Sequence, residues 1–216
     1  MNHRLTTTGI YGGSYNPIHT GHTALGQWLV EHGYVDELWF LVSPQNPLKP
    51  ASGLLDDQAR LHLARLAVKA DTEDEVQQGA KCSRLHVSDF EFHLPRPSYM
   101  VHTLAALRET YTDREFVLVI GADNWQRFPR WYQSDEILRH HRIIIYPRPG
   151  YAMDASTFPR PDATTGLPSI TVADTPLHDI SSSQIREAIA HDPTYDGWGL
   201  DARVWEEIKA RNYYVQ

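Results

Sequence analysis

Cysteine is almost absent from this chain. Among 216 residues only Cys82 is a cysteine, so no disulfide can form within one chain and a reducing compartment is expected. Cys82 itself reads as a small buried apolar residue rather than a catalytic thiol. Long hydrophobic runs are missing too. No stretch of about 18 consecutive apolar residues occurs, and the opening MNHRLTTTGIYGG carries no apolar run of signal-peptide length, so neither a membrane span nor a leader is expected and a cytoplasmic location is. Positive charge is in deficit: 20 Lys and Arg stand against 27 Asp and Glu, a formal charge of −7. That balance speaks against nucleic-acid wrapping, because affinity for phosphate backbones comes from Lys and Arg density. A local basic pocket for a small anion remains compatible with it. No internal repeat or low-complexity tract is evident, and with 41% hydrophobic and 22% charged residues the composition is that of an ordinary globular domain. One domain spanning 1–216 is expected.

What is present is an alternation of two periodicities. Thr7 to Tyr11 are β-prone and end in Gly12-Gly13, and Thr23 to His32 carry Ala24, Leu25, Trp28 and Leu29 at helical spacing. The run ELWFLV (Glu37 to Val42) predicts a second strand, and Asp56 to Ala70 a second helix with an acidic N-cap. Arg84 to Phe92 then predict a strand, Met100 to Thr110 a helix, and the wholly apolar FVLVI (Phe116 to Ile120) a strand buried on both faces. A short helix at Ser134 to Arg139, a strand at Arg142 to Tyr146, a surface loop at Pro147 to Pro168, a strand at Ser169 to Ala173 and helices at Ser183 to Ala190 and Asp201 to Ala210 complete the reading. Alternating strands and helices predict an α/β fold: a Rossmann-like, doubly wound parallel sheet with helices on both faces. Ligands in such sheets bind at the carboxyl ends of the strands, where Gly12-Gly13, Pro44 and Gly121 to Asp123 fall.

The stretch GGSYNPIHTGH, residues 12–22, suits neither a packed strand nor a helix interior. Its glycines allow close backbone approach, and the following helix start offers free N–H groups and a positive dipole, which together make a phosphate site. His19 and His22, one turn apart, would donate ring N–H groups to phosphate oxygens. Two zinc-ligating histidines are the rival reading, but a zinc site wants three or four ligands and no third stands at a recognisable spacing. Near the other end, Ile180-Ser181-Ser182-Ser183-Gln184-Ile185-Arg186 opens a second helix: Ser181 with Gln184 can form a capping box, while Ser183 and Arg186 stand one turn apart where a hydroxyl and a guanidinium can meet an anion.

GGSYNPIHTGH resembles the first signature of the HxGH nucleotidyltransferases, GG-[ST]-F-[DN]-P-x-H-x-G-H, with Tyr15 in place of Phe. ISSSQIR resembles their second, ISSTxIR, with Ser183 in place of Thr. Ser43 to Lys49 (SPQNPLK) looks like the PxxxPxxK loop of one branch, the nicotinate-nucleotide adenylyltransferases, with one residue fewer in each gap, and Gly121-Ala122-Asp123-Asn124, Trp131 and Pro147-Arg148 resemble that branch's G-x-D…W…R run. The resemblance implies adenylyl transfer from ATP to nicotinate mononucleotide, with Mg²⁺ carried by ATP and no metal ligands of the protein's own. It implies catalytic roles for His19, His22, Lys49 and Arg186, and ATP contacts from Gly12, Gly13, Ser14, His19, His22, Gly121, Asp123, Ser182, Ser183 and Arg186. It implies mononucleotide contacts from Ser14, Tyr15, Lys49, Ser98, Tyr99, Met100, Asp123, Trp131 and Arg148, with the Trp on the pyridine ring. One departure stands out: the branch has SYTxDTL where this chain has SYMVHTL, so Met100 replaces a hydroxyl that could help read acid against amide. Nicotinamide mononucleotide or another phosphate acceptor is the alternative, a homo-oligomer is compatible, and neither nucleic acid nor membrane is expected as a partner.

Overall fold

Short apolar strands of the kind read above need cover on both faces, and the tertiary arrangement supplies it. The computed structural model describes residues 4–44, 53–68, 84–151, 153, 170–176 and 179–215. Among these residues six strands form one sheet in the order β3-β2-β1-β4-β5-β6, and every neighbouring pair is parallel. They are β1 (Thr6–Gly13), β2 (Glu37–Val42), β3 (Leu85–Ser88), β4 (Arg114–Gly121), β5 (Ile143–Tyr146) and β6 (Ile170–Val172). The helices are α1 (Thr20–Glu31), α2 (Asp57–Ala67), α3 (Met100–Thr110), α4 (Ala122–Arg127), α5 (Ser134–His140), α6 (Ser182–His191) and α7 (Ala202–Arg211). Two cores result, one on each face. Leu25, Leu29, Leu61, Ala64, Ile185, Val204 and Ile208 from α1, α2, α6 and α7 cover one side, and Leu104, Leu107 and Ile137 from α3 and α5 cover the other. The doubly wound expectation holds.

Chain order reverses between β1 and β4, the switch point where the two halves of such a sheet diverge and open a crevice. Gly12 and Gly13 end β1 there and Gly121 ends β4.

Three elements differ from the sequence reading. α1 begins at Thr20, three residues early, because His19 sits extended at the N-cap (φ −141°, ψ 168°) and its N–H donates to Nδ1 of His22 at 3.2 Å. Rules that look for Ser, Thr, Asp or Asn at a cap do not flag histidine. The third strand stops at Ser88 and a 3-10 turn over Phe90–His93 replaces its end, turning Glu91 inward, where Thr103 Oγ1 donates to its carboxylate at 2.9 Å. α4 has no counterpart in that reading, since its N-cap, Gly121, offers no side-chain cap and the helix is only six residues long. Cys82, Lys49 and most of the predicted 147–168 loop lie outside the described residues.

Candidate active site

Two phosphate-type helix starts, far apart in sequence, meet at the switch point. Ser182 Oγ donates to the carbonyl of Pro17 at 2.8 Å, and Arg186 Nη1 donates to the carbonyl of Asn16 at 2.7 Å, so the start of α6 is fastened to the loop that opens α1. Arg186 Nη2 reaches Ser183 Oγ at 3.2 Å, the pairing that the one-turn spacing predicts. Ser181 caps α6 by accepting from Gln184 N at 3.2 Å, while its own N–H donates to the Gln184 side chain at 2.8 Å. That is the capping box read from the sequence.

The two histidine rings stack with centroids 3.6 Å apart. Because Nδ1 of His22 accepts from the His19 backbone, the neutral ring carries its proton on Nε2. Beneath them lies an aromatic floor. Tyr15 is 3% exposed, stands edge-on to His22 at 5.1 Å, and donates its hydroxyl to the carbonyl of Tyr11. Its backbone takes a positive φ of 46°, uncommon for a residue of this size, which lets the chain turn from β1 into α1 with the ring folded back under the turn. A Cβ on Gly13 would sit 2.9 Å from that ring, so glycine is what permits the fold-back. Tyr11 and Tyr146, hydrogen-bonded hydroxyl to hydroxyl at 2.8 Å, continue the floor. Burial raises the pKa of all three tyrosines, so they stay neutral donors.

Tyr11 divides two openings. On one side is a shallow groove lined by His19, Gly21, His22, Tyr146, Arg148, Thr175 and Ile180. On the other is a cavity of about 370 Å³, walled by Gly12, Gly13, Ser43, Glu91, Ser98, Tyr99, Met100, Gly121, Asn124 and Trp131. A volume of this order admits a small-molecule group of ring-plus-sugar size. Tyr99 is the N-cap of α3 and makes no side-chain cap; its carbonyl takes the N–H of His102 at 2.9 Å, and the start of the helix, Met100, stands in the cavity wall. Trp131 packs on Phe128 at 5.4 Å and lends one wall. Burial raises the pKa of Glu91, and the hydroxyls of Ser43, Thr103 and Ser98 act the other way.

The expected residues do not share one opening. Ser98, Tyr99, Met100 and Trp131 share the cavity with Gly12, Gly13 and Gly121, whereas His19, His22 and Arg148 share the groove. Arg148 lines the groove, with Nε 3.6 Å from Asp123 Oδ1. A Cβ on Gly121 would come within 2.5 Å of that same carboxylate oxygen, which explains the glycine. Tyr15 forms floor rather than wall, and Ser14 offers its carbonyl to Arg60.

Sequence reasoning passed over three polar residues that hold this arrangement. Asn16 is 6% exposed; its amide donates to Gly53 O at 2.9 Å and its Oδ1 accepts from Leu55 N at 3.1 Å and from the Tyr214 hydroxyl at 2.8 Å. Glu91 sits inside the cavity wall. Arg60 is wholly buried, donating from Nε to Leu55 O at 2.8 Å, from Nη1 to Ser14 O at 2.6 Å and to Ser43 O at 2.8 Å, and from Nη2 to Pro44 O at 2.9 Å. The available signal was a cation within the apolar stripe of α2, four residues before buried Ala64.

A parallel sheet in this order, with two helix starts clasped at its switch point between a groove and a cavity, defines a nucleotide-handling enzyme of the nucleotidyltransferase class. The cytidylyltransferase-like family model matches residues 10–188. The chain belongs to that family and, within it, to the nicotinate-nucleotide adenylyltransferases. It is 47% identical over 185 residues to a protein of Bacteroides fragilis strain YCH46 named probable nicotinate-nucleotide adenylyltransferase, covering 86% of this chain and 83% of that one. A Bacteroides thetaiotaomicron protein of the same name is 46% identical, over 94% of this chain and 90% of its own. In fold it is similar to the Plasmodium falciparum nicotinic acid mononucleotide adenylyltransferase complexed with NaAD, with a TM-score of 0.75 and 97% of each chain covered at 17% identity. No described helix is long and apolar enough to cross a membrane.

Proposed function

We propose that the protein transfers the adenylyl group of ATP to nicotinate mononucleotide, releasing pyrophosphate and forming nicotinate adenine dinucleotide. The observation that carries this reading is the clasp of α6 onto the α1 loop, which gathers His19, His22, Ser183 and Arg186 at one end of the sheet between two separate openings. ATP occupies the histidine groove, with its base toward Arg148 and Ile180, and the mononucleotide occupies the cavity, its pyridine ring against Trp131. The acceptor phosphate then attacks the α-phosphorus in line, and no protein nucleophile is needed. Catalysis comes from bringing two anions together against their repulsion and from donors aimed at the oxygens where charge builds. His22 Nε2–H and the Arg186 guanidinium supply those donors; Lys49 is assigned a third, from outside the described residues.

The groups that converge here are N–H donors, hydroxyls and cations, a set that fits a triphosphate. A divalent ion, Mg²⁺ in this reading, rides in on the phosphate oxygens and neutralises part of their charge; among the described residues there is no cluster of three or more His, Cys, Asp or Glu to cage one. For the acid over the amide, the uncapped start of α3 stands in for the hydroxyl that Met100 lacks: its N–H groups and dipole favour a carboxylate beside the cavity.

The test is pyrophosphate release from ATP and Mg²⁺ with nicotinate mononucleotide and nicotinamide mononucleotide assayed side by side, the dinucleotide product identified by mass. Strong preference for the acid is expected. Equal use of both would overturn the role given to the start of α3, and silence with both would overturn the acceptor.

A further inference from the structure

Arg60 is the largest fully buried side chain of the molecule's described part, and no described carboxylate comes within 4.0 Å of its guanidinium. Buried arginines are rare unless paired with an acid, because carbonyl dipoles compensate a desolvated charge less well than a carboxylate does. An apolar side chain of similar volume would fill the space without that penalty. What a guanidinium adds is a planar fork whose donors point in fixed directions.

Those directions converge on the site. Nη1 alone spans two loops, donating to Ser14 O at 2.6 Å after β1 and to Ser43 O at 2.8 Å after β2. Nη2 holds Pro44 O at 2.9 Å, and Nε anchors the fork to Leu55 O at 2.8 Å at the entry to α2. The two loops also touch through Ser43 N to Gly13 O at 2.9 Å. Gly13 and Ser43 are both cavity wall, and Ser14 begins the turn that delivers His19 and His22. One nitrogen therefore joins that backbone bond in setting the gap between the histidine loop and the acceptor cavity.

We propose that Arg60 is a positioning residue for the transfer reaction, acting through the geometry of its fork on the spacing of the loops after β1 and β2. It touches neither substrate. The proposal rests on the adenylyl-transfer reading for the identity of the acceptor only. Misplacing reacting groups by about 1 Å can cost on the order of 100-fold in rate, so loosening this bridge is felt in turnover.

Arg60→Lys keeps the charge and most of the volume but cannot bridge carbonyls on two loops from one planar group; Arg60→Met keeps volume alone; Arg60→Ala opens a space for an added guanidinium ion. Each is assayed for pyrophosphate release beside the wild type, at a temperature where circular dichroism shows the variant folded, with whichever mononucleotide the wild type uses. Expected for folded Arg60→Lys is a fall in kcat of about 10- to 100-fold with a raised KM for the mononucleotide and a smaller change in KM for ATP. Expected for Arg60→Ala is partial recovery of kcat in non-denaturing guanidinium chloride, and none in ammonium or sodium chloride at the same ionic strength. Wild-type kcat in folded Arg60→Lys, or activity in every variant that merely tracks the folded fraction, overturns the proposal. Should Arg60→Met not fold, the lysine variant and the guanidinium rescue decide. A wild type that ignores nicotinate mononucleotide defeats the acceptor assignment instead, and leaves the comparison among variants readable with the acceptor it does use.

Discussion

Replacing His22 with alanine separates catalysis from folding in a way the structure lets one size in advance. Several interactions hold the ring in place, Tyr15 edge-on at 5.1 Å among them. Its Nδ1 accepts the His19 backbone N–H at 3.2 Å, one half of the capping box of α1, and its face stacks on His19 at 3.6 Å. Losing a helix cap costs ~1 kcal/mol, and leaving part of the aromatic stack open adds a comparable amount. For a chain of this length ~1–2 kcal/mol corresponds to a fall in Tm of roughly 2–8 °C. The catalytic loss is larger. Removing one donor aimed at transition-state charge costs ~2.7–4 kcal/mol, or 10²- to 10³-fold in kcat. His22→Asn provides the internal control, since its Oδ1 can accept the same backbone N–H while its side chain lacks the Nε2 donor. Its Tm should return toward the wild type, and its kcat should not. Pyrophosphate release at saturating ATP and mononucleotide, paired with thermal melts, measures both. A folded His22→Ala enzyme within a few-fold of wild-type kcat would refute the donor assignment, and so would an asparagine variant that recovers rate along with stability.

Gly121→Ala should raise the KM for ATP by about tenfold, because the new Cβ meets Asp123 Oδ1 at 2.5 Å and Arg148 Cγ at 3.1 Å and pushes both toward the groove, while the melt moves by no more than ~2 kcal/mol. Steady-state kinetics that leave the ATP term untouched would contradict that placement. Trp131→Ala should raise the KM for the mononucleotide with ATP little affected, the loss of a ring-on-ring contact being worth ~0.5–1.5 kcal/mol beyond buried area; an effect confined to ATP would put ATP, not the mononucleotide, in the cavity that Trp131 walls. Glu37 titrates at about 2 against an ordinary 4.5: burial pushes the carboxyl up, but hydrogen bonds from His86 and Thr8 and the charges of Arg114 and His86 outweigh it. A folded-state pKa below the unfolded one means stability that is full above pH 4.5 and is lost as pH falls toward 2. Glu37→Gln should therefore melt lower than wild type at pH 7, by about 2–3 kcal/mol, with the two curves converging between those values; a gap that persists at the acid end would show the cause to be packing.

Much of this was legible along the chain. The wholly apolar β4 and β5 announce strands buried on both faces, and strand–helix alternation leaves a parallel, doubly wound sheet as the arrangement that buries them. Both phosphate-type helix starts could be read because glycine, serine, histidine and arginine at those spacings have local consequences: free N–H groups, a capping box, side chains one turn apart. The family signature added the reaction. Local chemistry also misled in places, since a histidine cap and a six-residue helix leave no mark that capping rules recognise.

The amino-acid sequence by itself determined which segments become strands and helices and which residue types could meet phosphate, because those depend on neighbours a few positions away. Only the tertiary structure decided that α6 is clasped to the α1 loop through Ser182 and Arg186, across more than 160 residues of chain, that Tyr11 separates a groove from a cavity, and that Arg148 belongs to the groove. Arg60 makes the reason plain. In the sequence it is one cation on a helix; folded, its four hydrogen bonds reach carbonyls on three separate segments, and nothing in the spacing of a single segment encodes that convergence.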